Sequence, residues 1–438
     1  MIAGLSRIIL YLLVVILPVL LTVRPGEPDG IFIDVGRNLA LTGFMILVLQ
    51  FLIISRIKWI EKAFGLDILI RFHKFIAVGA LCLLLIHPLL VAWGKSDWGI
   101  IFGLDLPWYI WAGKVALILL IGLILVSVYQ SRIGLAFEQW RLGHNIFAPA
   151  ILVLIFIHSW FAGDDLKLFS MQVLWTSAFI LAAVVFVYHR MLRPKLLSRH
   201  PYTVQEVRRE TDDVWSVKMV PPEGRSVFDY LPGQFHFLTF FRAPGLPVEE
   251  HHWTISSSPA EKDSITSTIK AVGDFTSTMG QTRPGDTVAV HGPFGRFSYM
   301  FHPEDRELVF LAGGIGITPV MSMLRYMRDT KDTRSVLLMY ANRKQSQIIF
   351  RKEIDQIASG EHPDLTLVHV LSRPEDEWTG ETGHLDRTMI EKYCGSDLEG
   401  KAFYICAPLK MAETLISSLQ DMGVPRKRIR REIFSFLD

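Results

Sequence analysis

The sequence has few of the features that mark disulfide-stabilised or nucleic-acid-binding proteins. Its 438 residues include only three cysteines, Cys82, Cys394 and Cys406. So few, scattered thiols exclude a disulfide framework and indicate a reducing compartment for the part of the chain that carries the last two. The net charge is only +2, and no run of Lys and Arg with interleaved aromatic residues suggests nucleic acid as a partner. The sequence also has no EF-hand loop, SH3 ligand or long disordered arm, which favours activity without a regulatory extension.

Long apolar runs are abundant, but only in the first ~190 residues. From about Ser198 onward, charged residues, Gly and Pro are as frequent as in soluble proteins. The first run has no small-residue cleavage site and is followed by further runs, so it predicts a retained helix and not a signal peptide. Six segments have the length of about 17–25 residues that spans a bilayer. They are Leu5–Val23, Ile33–Ser55, Ile68–Trp93, Ile110–Tyr129, Asn145–Ala162 and Met171–His189.

Basic residues in the short loops predict the orientation of these spans. One side carries most of them: Arg7, Arg56, Lys58, Lys62, Arg71, Lys74, Arg132, Arg141, Arg190, Arg193, Lys195 and Arg199. The opposite loops carry few, offset by acidic residues: Arg24, Arg37, Lys95 and Lys167 against Glu27, Asp29, Asp34, Asp97, Asp105, Asp164 and Asp165. The sequence therefore predicts that both termini are cytoplasmic.

Two of the predicted spans each carry a pair of histidines. His73 and His87 stand 14 positions apart in RFHKFIAVGALCLLLIHPLLVAW, and His144 and His158 repeat that spacing in the fifth span. In a helix this separates the two rings by roughly 21 Å along the axis and returns them to within about 40° of one face. With the predicted orientation, His73 and His144 lie near the cytoplasm and His87 and His158 near the outer face.

A single histidine in a membrane helix is often a packing or hydrogen-bonding residue at a helix interface. Four histidines in two copies of one spacing, at matching depths, favour two bis-His haem sites built between facing helices. A proton relay or a zinc or copper site would not need two pairs ~20 Å apart. His189 and His200 are interpreted as ordinary interfacial residues. Two haems at two depths would form an electron path across the membrane.

The soluble half contains two patterns of secondary structure. Short alternating strands with Gly and Pro turns, from about Pro201 to Ser298, predict a small antiparallel barrel. After that, strands alternate with helices, which predicts a parallel doubly wound sheet. The expected fold is a multidomain membrane protein with a six-helix bundle (1–197), an antiparallel β-barrel (198–300) and an α/β nucleotide-binding domain (301–438).

A glycine-rich turn follows the first buried strand of the α/β region. Gly313, Gly314 and Gly316 can bring backbone amides and a helix N-terminus to a pyrophosphate. A glycine-rich turn alone is a weak signal, since tight turns in any α/β protein use glycine. Its position after the first strand of an alternating domain favours a dinucleotide.

Several motifs resemble the ferredoxin-reductase superfamily in the variant found in NADPH oxidases and ferric reductases. The flavin motif is HHWTISSSP (His251–Pro259). Other matching blocks are PGQF (Pro232–Phe235), GDFT (Gly273–Thr276), RPGDTVAVHGPFG (Arg283–Gly295), AGGIGITP (Ala312–Pro319), YICAP (Tyr404–Pro408) and EIF (Glu432–Phe434). With the histidine pairs, the resemblance covers nearly the whole chain. The chain is similar to a prokaryotic NADPH oxidase/ferric reductase without regulatory extensions.

This resemblance implies an FAD site. His251 would contact the flavin phosphates, Trp253 would pack on the flavin, and Thr254 would hydrogen-bond near its N5. The family often has Pro where this chain has His252 and Phe where it has Trp253, and neither change removes a needed donor. The remaining implied FAD contacts are Ser256, Ser257, Lys270, Gly273, Phe275 and Thr276.

The resemblance also implies a pyridine-nucleotide site. Cys406 and Pro408 would border the nicotinamide, with Ala407 where the family often has Gly. Phe434 would cover the isoalloxazine and yield to nicotinamide for hydride transfer, although it could equally be an ordinary apolar residue. Thr254, Cys406 and Phe434 are the implied catalytic residues. The cradle for the nucleotide would be Gly313, Gly314, Gly316, Thr318 and Pro319.

The residues after the second strand of the α/β region bear on the choice of nucleotide. Asn342, Arg343 and Lys344 lie where the adenosine 2′ position is usually read, and a basic residue there favours the 2′-phosphate of NADPH. A solvated turn with two basic residues is equally ordinary, so NADH stays open as a donor.

The expected function is electron transfer from cytoplasmic NAD(P)H through FAD and two b-type haems to an acceptor on the outer face, giving superoxide from O₂. A ferric-chelate reductase is the alternative in the same class. A third hypothesis, an electron-transfer subunit for a separate protein, is disfavoured because the chain carries its own flavin and nucleotide domains. Arg24 or Arg37 could stabilise an anion near the outer haem. The expected location is the bacterial cytoplasmic membrane, with lipid contact and no obligatory protein partner.

Overall fold

A computed structural model describes residues 2–22, 30–395 and 397–432 of the chain. Contacts within the chain divide it into two compact units, Met1–Arg193 and Pro194–Asp438. The described part of the first unit is helical. Both β-sheets belong to the second unit.

Six helices of the structure are long and apolar enough to cross a membrane, which confirms the predicted number of spans. The helices of this half are α1 (Ile2–Leu21), α2 (Ile31–Ile53), α3 (Lys58–Phe64), α4 (Leu66–Lys95), α5 (Gly99–Phe102), α6 (Trp108–Tyr129), α7 (Phe137–Ala162), α8 (Phe169–Val187) and α9 (Arg193–Leu197). Helix α7 begins at Phe137 and not at Asn145, because polar side chains that precede an apolar run can continue a helix into the headgroup region. A π-helical turn, Tyr188–Leu192, joins α8 to α9.

Helix α2 lies at the centre of the membrane half, where much of its length is buried. It packs closely on α4 because small residues face the contact. A Cβ added to Gly43 would lie 2.9 Å from the Leu84 side chain, and one added to Gly94 would lie 2.6 Å from Ile33. Glycines at such positions let two helix backbones approach each other, as is usual in membrane bundles.

The first sheet of the soluble half is antiparallel, in the order β4-β3-β6-β1-β2-β5. An isolated bridge between Ile255 and Ser267 connects its two edge strands, so the sheet closes into a barrel, as predicted. Strand β4 carries the flavin motif, and the sequence pattern did not identify it as a strand. The elements are β1 (Tyr202–Thr211), β2 (Val214–Val220), β3 (Phe235–Phe241), β4 (Glu250–Thr254), β5 (Ile265–Lys270), α10 (Asp274–Ser277) and β6 (Thr287–Phe294).

The second sheet is parallel, in the order β10-β9-β8-β7-β11-β12, and confirms the doubly wound prediction. Its strands are buried between helices, which explains their nearly continuous apolar runs. The elements are β7 (Glu307–Gly313), α11 (Ile317–Asp329), β8 (Ser335–Asn342), α12 (Arg351–Ala358), β9 (Asp364–Leu371), β10 (Glu381–Thr382), α13 (Arg387–Cys394), β11 (Lys401–Cys406), α14 (Leu409–Asp421) and β12 (Ile429–Glu432).

The strand order of this sheet reverses between β7 and β11. In doubly wound sheets, ligands bind at the carboxyl ends of the strands beside such a reversal. The two strands end at Gly313 and Cys406, and the chain that follows them is in close contact. A Cβ on Gly316 would lie 1.9 Å from the carbonyl oxygen of Cys406, and one on Gly313 would lie 2.9 Å from Pro408. The glycine-rich turn and the YICAP segment therefore form one continuous surface.

We expect Gly316→Ala to destabilise the soluble half, because backbone would have to move to admit the methyl group. The expected loss in the free energy of unfolding is about 3 kcal/mol, the upper range for overpacking. The measurement is the thermal unfolding midpoint of the full chain in detergent. Gly400→Ala is the matched control, since its nearest neighbouring atom would be 3.8 Å away. Equal midpoints for the two variants would contradict the steric argument.

Candidate functional site

The two histidines predicted to lie near the outer face each have one ring nitrogen fixed by a backbone carbonyl. Nδ1 of His87 is 2.9 Å from the carbonyl oxygen of Gly36, and Nδ1 of His158 is 2.9 Å from that of Tyr109. A carbonyl can only accept a hydrogen bond, so Nδ1 carries the proton in both rings. Nε2 then presents a lone pair, which is the state of a metal-binding imidazole whose orientation is set by a second contact.

Glycine makes both of these contacts possible. Gly36 offers its carbonyl where α2 packs tightly against α4, and a Cβ there would lie 3.1 Å from Leu90. At Gly113 of α6, a Cβ would lie 2.7 Å from Nδ1 of His158. Each outer histidine is thus oriented by a neighbouring helix whose backbone comes close because a side chain is missing.

The two histidines predicted to lie near the cytoplasm face each other. The ring centroids of His73 and His144 are 6.1 Å apart, with their planes at 52°. Two imidazoles on opposite sides of one metal, each with a metal–nitrogen distance of about 2 Å, have centroids roughly 6 Å apart. The inner pair therefore fits a shared metal. The buried Nδ1 of His73 has no hydrogen-bond partner among the described residues.

In the soluble half, the flavin motif contributes two aromatic rings to one face of β4. His251 and Trp253 alternate on this strand, and both rings contact Phe275 of the GDFT segment, with centroids 4.4 and 5.9 Å apart. The guanidinium of Arg242 lies 4.9 Å from the Phe275 ring centroid. The structure thus brings together three residues predicted to hold FAD. Arg242 was not predicted from the sequence, because only the folded barrel brings it next to Phe275.

The structure places His252 on the opposite face of β4. Its ring lies 5.8 Å from Phe235 and 5.8 Å from Phe237, in an aromatic group on β3. His252 is therefore separated from His251 and Trp253 by the alternation of the strand.

The serine hydroxyls of the motif are engaged by the protein itself. Ser256 Oγ is 3.0 Å from Thr268 Oγ1, and Ser257 Oγ is 3.1 Å from the Tyr230 hydroxyl. Both serines are buried. Any contact with a flavin would therefore come from the backbone of this segment more readily than from its side chains.

The GDFT turn is held by its own threonine. Thr276 Oγ1 accepts hydrogen bonds from the N–H groups of Val272 and Gly273, both at 2.9 Å. A Cβ added to Gly273 would meet nothing within 4 Å, so a ligand can approach its backbone. Lys270, at the end of β5, has its Nζ 3.4 Å from the Asp213 carboxylate.

A buried hydrogen-bond network lies behind Thr254. His236 Nε2 is 2.6 Å from Ser267 Oγ, and Ser267 donates to the Thr254 carbonyl at 3.2 Å. His236 is completely buried, and burial lowers its pKa from 6.5 to about 3. The imidazole is therefore neutral at physiological pH, and it donates from Nε2 to Ser267.

Tyr340 holds the glycine-rich turn from beneath. Its hydroxyl donates to the Gly314 carbonyl at 3.0 Å and accepts from the Ile349 N–H at 3.3 Å. Gly314 has a φ of +54°, the left-handed region that favours glycine. Thr318, also predicted to contact the nucleotide, donates to the Ile315 carbonyl at 3.0 Å, and the neighbouring Pro319 is buried. The conformation of the turn is therefore held by contacts within the protein.

The carboxyl end of β8 carries the residues predicted to read the adenosine. The side chain of Asn342 lies beside the Tyr340 hydroxyl, which also supports the glycine-rich turn. Arg343 and Lys344 are exposed beside it. The Arg373 N–H donates to the Arg343 carbonyl at 2.8 Å, which adds a third basic residue to this edge. Its signal in the sequence was its position just after the next strand.

Cys406, predicted to border the nicotinamide, lies at the end of β11. The thiol is completely buried, and burial raises its pKa well above the ordinary value, so it stays protonated at neutral pH. The register of β11 with β12 places Glu432 directly beside it. Glu432 was not predicted as a site residue because this proximity depends on the strand pairing. Phe434 lies outside the described residues.

The neutral state of His236 predicts a specific loss of stability in acid. Because its pKa is lower in the folded state, the unfolded chain binds a proton first as the pH falls. The contribution to the free energy of unfolding is therefore constant above about pH 7 and decreases between 6.5 and about 3. At pH 5 the loss is about 2 kcal/mol.

In His236→Gln, the unfolding midpoint should therefore decrease less between pH 7 and pH 5 than in the unmodified chain. In His200→Gln, at an exposed site, the decrease should equal that of the unmodified chain. The measurement is thermal unfolding of the full chain in detergent at each pH. The same acid sensitivity in His236→Gln and the unmodified chain would refute the assignment.

Two family models match the chain. The model described as ferric reductase like transmembrane component matches residues 39–155. This range includes three of the four predicted haem ligands and ends before the fourth, His158. The model described as oxidoreductase NAD-binding domain matches residues 310–416, from β7 to within α14.

Individual proteins are similar to part of the chain. The glycine betaine monooxygenase reductase subunit of Pseudomonas aeruginosa is 32% identical over 242 residues, covering 54% of this chain and 64% of the subunit. The plasma membrane-associated coenzyme Q6 reductase PGA3 of Saccharomyces cerevisiae is 25% identical, covering 64% of this chain and 89% of that protein. The chain thus spans less than two thirds of the Pseudomonas subunit.

The chain is also similar to solved structures, with TM-scores below 0.5. The match to the flavohemoglobin of Malassezia yamatoensis with bound FAD and heme covers 90% of this chain and 98% of the flavohemoglobin chain, at 16% identity and a TM-score of 0.49. The match to the cytochrome b5 reductase domain of Ulva prolifera nitrate reductase covers 53% of this chain and 97% of that domain, at 20% identity and a TM-score of 0.48. The chain therefore contains a ferric-reductase-like transmembrane region (39–155) and an NAD-binding region (310–416), a combination similar to that of the NADPH oxidase/ferric reductase-like family.

Proposed function

We propose that the protein is a transmembrane oxidoreductase that takes electrons from cytoplasmic NAD(P)H and delivers them to an acceptor on the outer face, with O₂ as the acceptor and superoxide as the product. The observation that carries this proposal is the arrangement of the four membrane histidines. The inner rings face each other at 6.1 Å, and the outer rings each point a free Nε2 away from a carbonyl-bound Nδ1. That donor set suits bis-imidazole haem.

The residues that would hold each group are those predicted from the sequence. His73 with His144 and His87 with His158 would bind two b-type haems. His251, Trp253, Phe275 and the GDFT turn would hold FAD, and the surface around Gly316 and Cys406 would hold NADPH or NADH. When bound, FAD would accept hydride and release electrons singly, and the haems would carry single electrons across the membrane.

The histidines also bear on how the acceptor reacts. With two imidazoles assigned to each of two predicted haems, the four histidines would leave no place on the iron for O₂, and the acceptor would be reduced without binding to the metal. The reductase half supports a cytoplasmic location for the soluble unit, since NAD(P)H is a cytoplasmic reductant. This agrees with the predicted orientation, with both termini in the cytoplasm and six spans in a bacterial cytoplasmic membrane.

The contacts of Arg37 favour a neutral acceptor. Arg37 follows Gly36, the residue that orients His87, and it was considered above as a docking group for an anion. Its guanidinium donates to Asp34 and lies 3.7 Å from the buried carboxylate of Asp165. Two carboxylates therefore offset its charge. A neutral molecule such as O₂ needs no cationic docking group, whereas an anionic ferric chelate would gain from one. Arg24 lies outside the described residues.

Purified protein loaded with haem and FAD separates the three functional hypotheses. With NADPH, cytochrome c reduction that is sensitive to superoxide dismutase would support the oxidase. Ferric-chelate reduction without superoxide would replace it with the metal reductase. Turnover only after addition of a second protein would identify an electron-transfer subunit. NADH in the same assay would establish the preferred donor.

We expect a pyridine haemochrome assay to give about two haems per chain and His87→Ala to give about one, because that variant removes a ligand of the outer pair only. His87→Ala should still allow FAD reduction by NADPH but should stop electron delivery to the outer face. His200→Ala, at an exposed residue outside both pairs, should retain two haems. Full haem content in His87→Ala would contradict the assignment.

A further inference from the structure

Helix α11 contacts both parts of the proposed reductase site. Its N-terminus follows the glycine-rich turn, and two residues farther along one face bind the chain that follows the flavin strand. Ser322 Oγ donates to the carbonyl of Ser257 at 2.7 Å, and Arg325 Nη1 donates to the carbonyl of Ser256 at 2.6 Å. Positions three apart in a helix lie on the same face, so two successive carbonyls are bound by one helix surface.

The guanidinium of Arg325 is held on its other sides as well. Its Nε and Nη2 donate to the two carboxylate oxygens of Glu353, at 2.8 and 2.6 Å, in a bidentate pair. The Phe350 ring centroid lies 4.8 Å from it. The side chain is only 12% exposed. Planar, bidentate pairing of this kind fixes both position and orientation, which a single ammonium could not do.

The bound segment is equally fixed on the side of the barrel. The Ser256 N–H donates to the Thr266 carbonyl at 2.8 Å, and the Tyr230 hydroxyl lies 3.2 Å from the Ser257 carbonyl. Residues 256–257 therefore have barrel contacts on one side and α11 on the other. They directly follow Thr254 and Ile255, at the end of the flavin strand.

We propose that Arg325, assisted by Ser322, is a positioning residue for hydride transfer, which sets the spacing between the flavin strand and the glycine-rich turn. This inference rests on the proposed binding of FAD and NAD(P)H at these two places. From Gly316 to Arg325 the helix is a rigid connection of roughly 14 Å. Hydride passes only between atoms in a near-attack arrangement, and a misplacement of about 1 Å can lower the rate on the order of 100-fold. Arg325 touches neither of the reacting rings in this proposal and acts through the two segments that it joins.

A positioning role and a purely structural role predict different kinetics. If Arg325 only stabilises the fold, its replacement lowers the unfolding midpoint or the FAD content, and the protein that retains FAD reacts at the normal rate. If it sets the spacing, the limiting rate falls in FAD-loaded protein while the affinity for the nucleotide is retained. The glycine-rich turn itself keeps its contacts with Tyr340 in either case.

The test is anaerobic stopped-flow reduction of FAD by NADPH in the full-length, FAD-loaded protein in detergent. For Arg325→Gln we expect the limiting rate to fall on the order of tenfold or more, with the Kd for NADPH within about twofold of the unmodified value. The limiting rate of Arg325→Lys should lie between those of Arg325→Gln and the unmodified protein, because one ammonium cannot bond Ser256 and both oxygens of Glu353 together. Ser322→Ala removes a single hydroxyl and should give a smaller decrease, which provides a test if Arg325→Gln does not fold.

Arg328→Gln is the matched control. Arg328 lies on the same helix, is exposed, and approaches Glu353 only at 3.6 Å. We expect its limiting rate to equal that of the unmodified protein. Normal rates in Arg325→Gln and Ser322→Ala, or an equal decrease in Arg328→Gln, would overturn the positioning role and leave the proposed function intact. Failure of NADPH and NADH to reduce FAD in the unmodified protein would overturn both.

Discussion

An imidazole placed among hydrocarbon chains is strongly stabilised by partners for its ring nitrogens, because an unpaired polar group there costs several kcal/mol. The membrane half is arranged around this requirement. Backbone carbonyls of Gly36 and Tyr109 satisfy one nitrogen of each outer histidine. The other nitrogen of each outer ring presents a lone pair, which the proposed haem would take up. Close packing of α2 on α4 and of α6 on α7 follows from the need to bring those carbonyls within reach.

The parts of the fold that were predictable from the sequence depend on local pattern. Apolar length identified six spans, and alternation of strand and helix identified the parallel sheet, because each element carries its own periodicity. The start of α7 was placed too late, since the polar residues before Asn145 obscure the helix in a hydropathy reading. Strand β4 was missed as a strand because its motif residues were assigned to chemistry, although they also alternate between two faces of the barrel.

The motifs of the candidate site were predictable from the sequence, but the contacts that each residue within a motif makes were not. Within HHWTISSSP, alternate residues of the strand face different environments, so His251 and His252 have different neighbours. The serines that follow have their hydroxyls bound to Thr268 and Tyr230 and serve to hold the segment in place. Contacts such as those of Arg325 with Ser256, or of Glu432 with Cys406, join residues far apart in sequence. Only the folded barrel and sheet bring them together.

The contact between Gly316 and residue 406 restricts the amino acid at position 316 but not the side chain at position 406. The atom that a methyl group on residue 316 would meet is the backbone carbonyl of residue 406, which every amino acid possesses. Position 316 is therefore restricted to glycine whatever the identity of its neighbour. The side chain at position 406 takes no part in this restriction, so drift or directed evolution can exchange its thiol for another small group without dismantling the nucleotide cradle. The chemistry at position 406, where the nicotinamide is proposed to bind, can thus diversify independently of the backbone contact that fixes position 316.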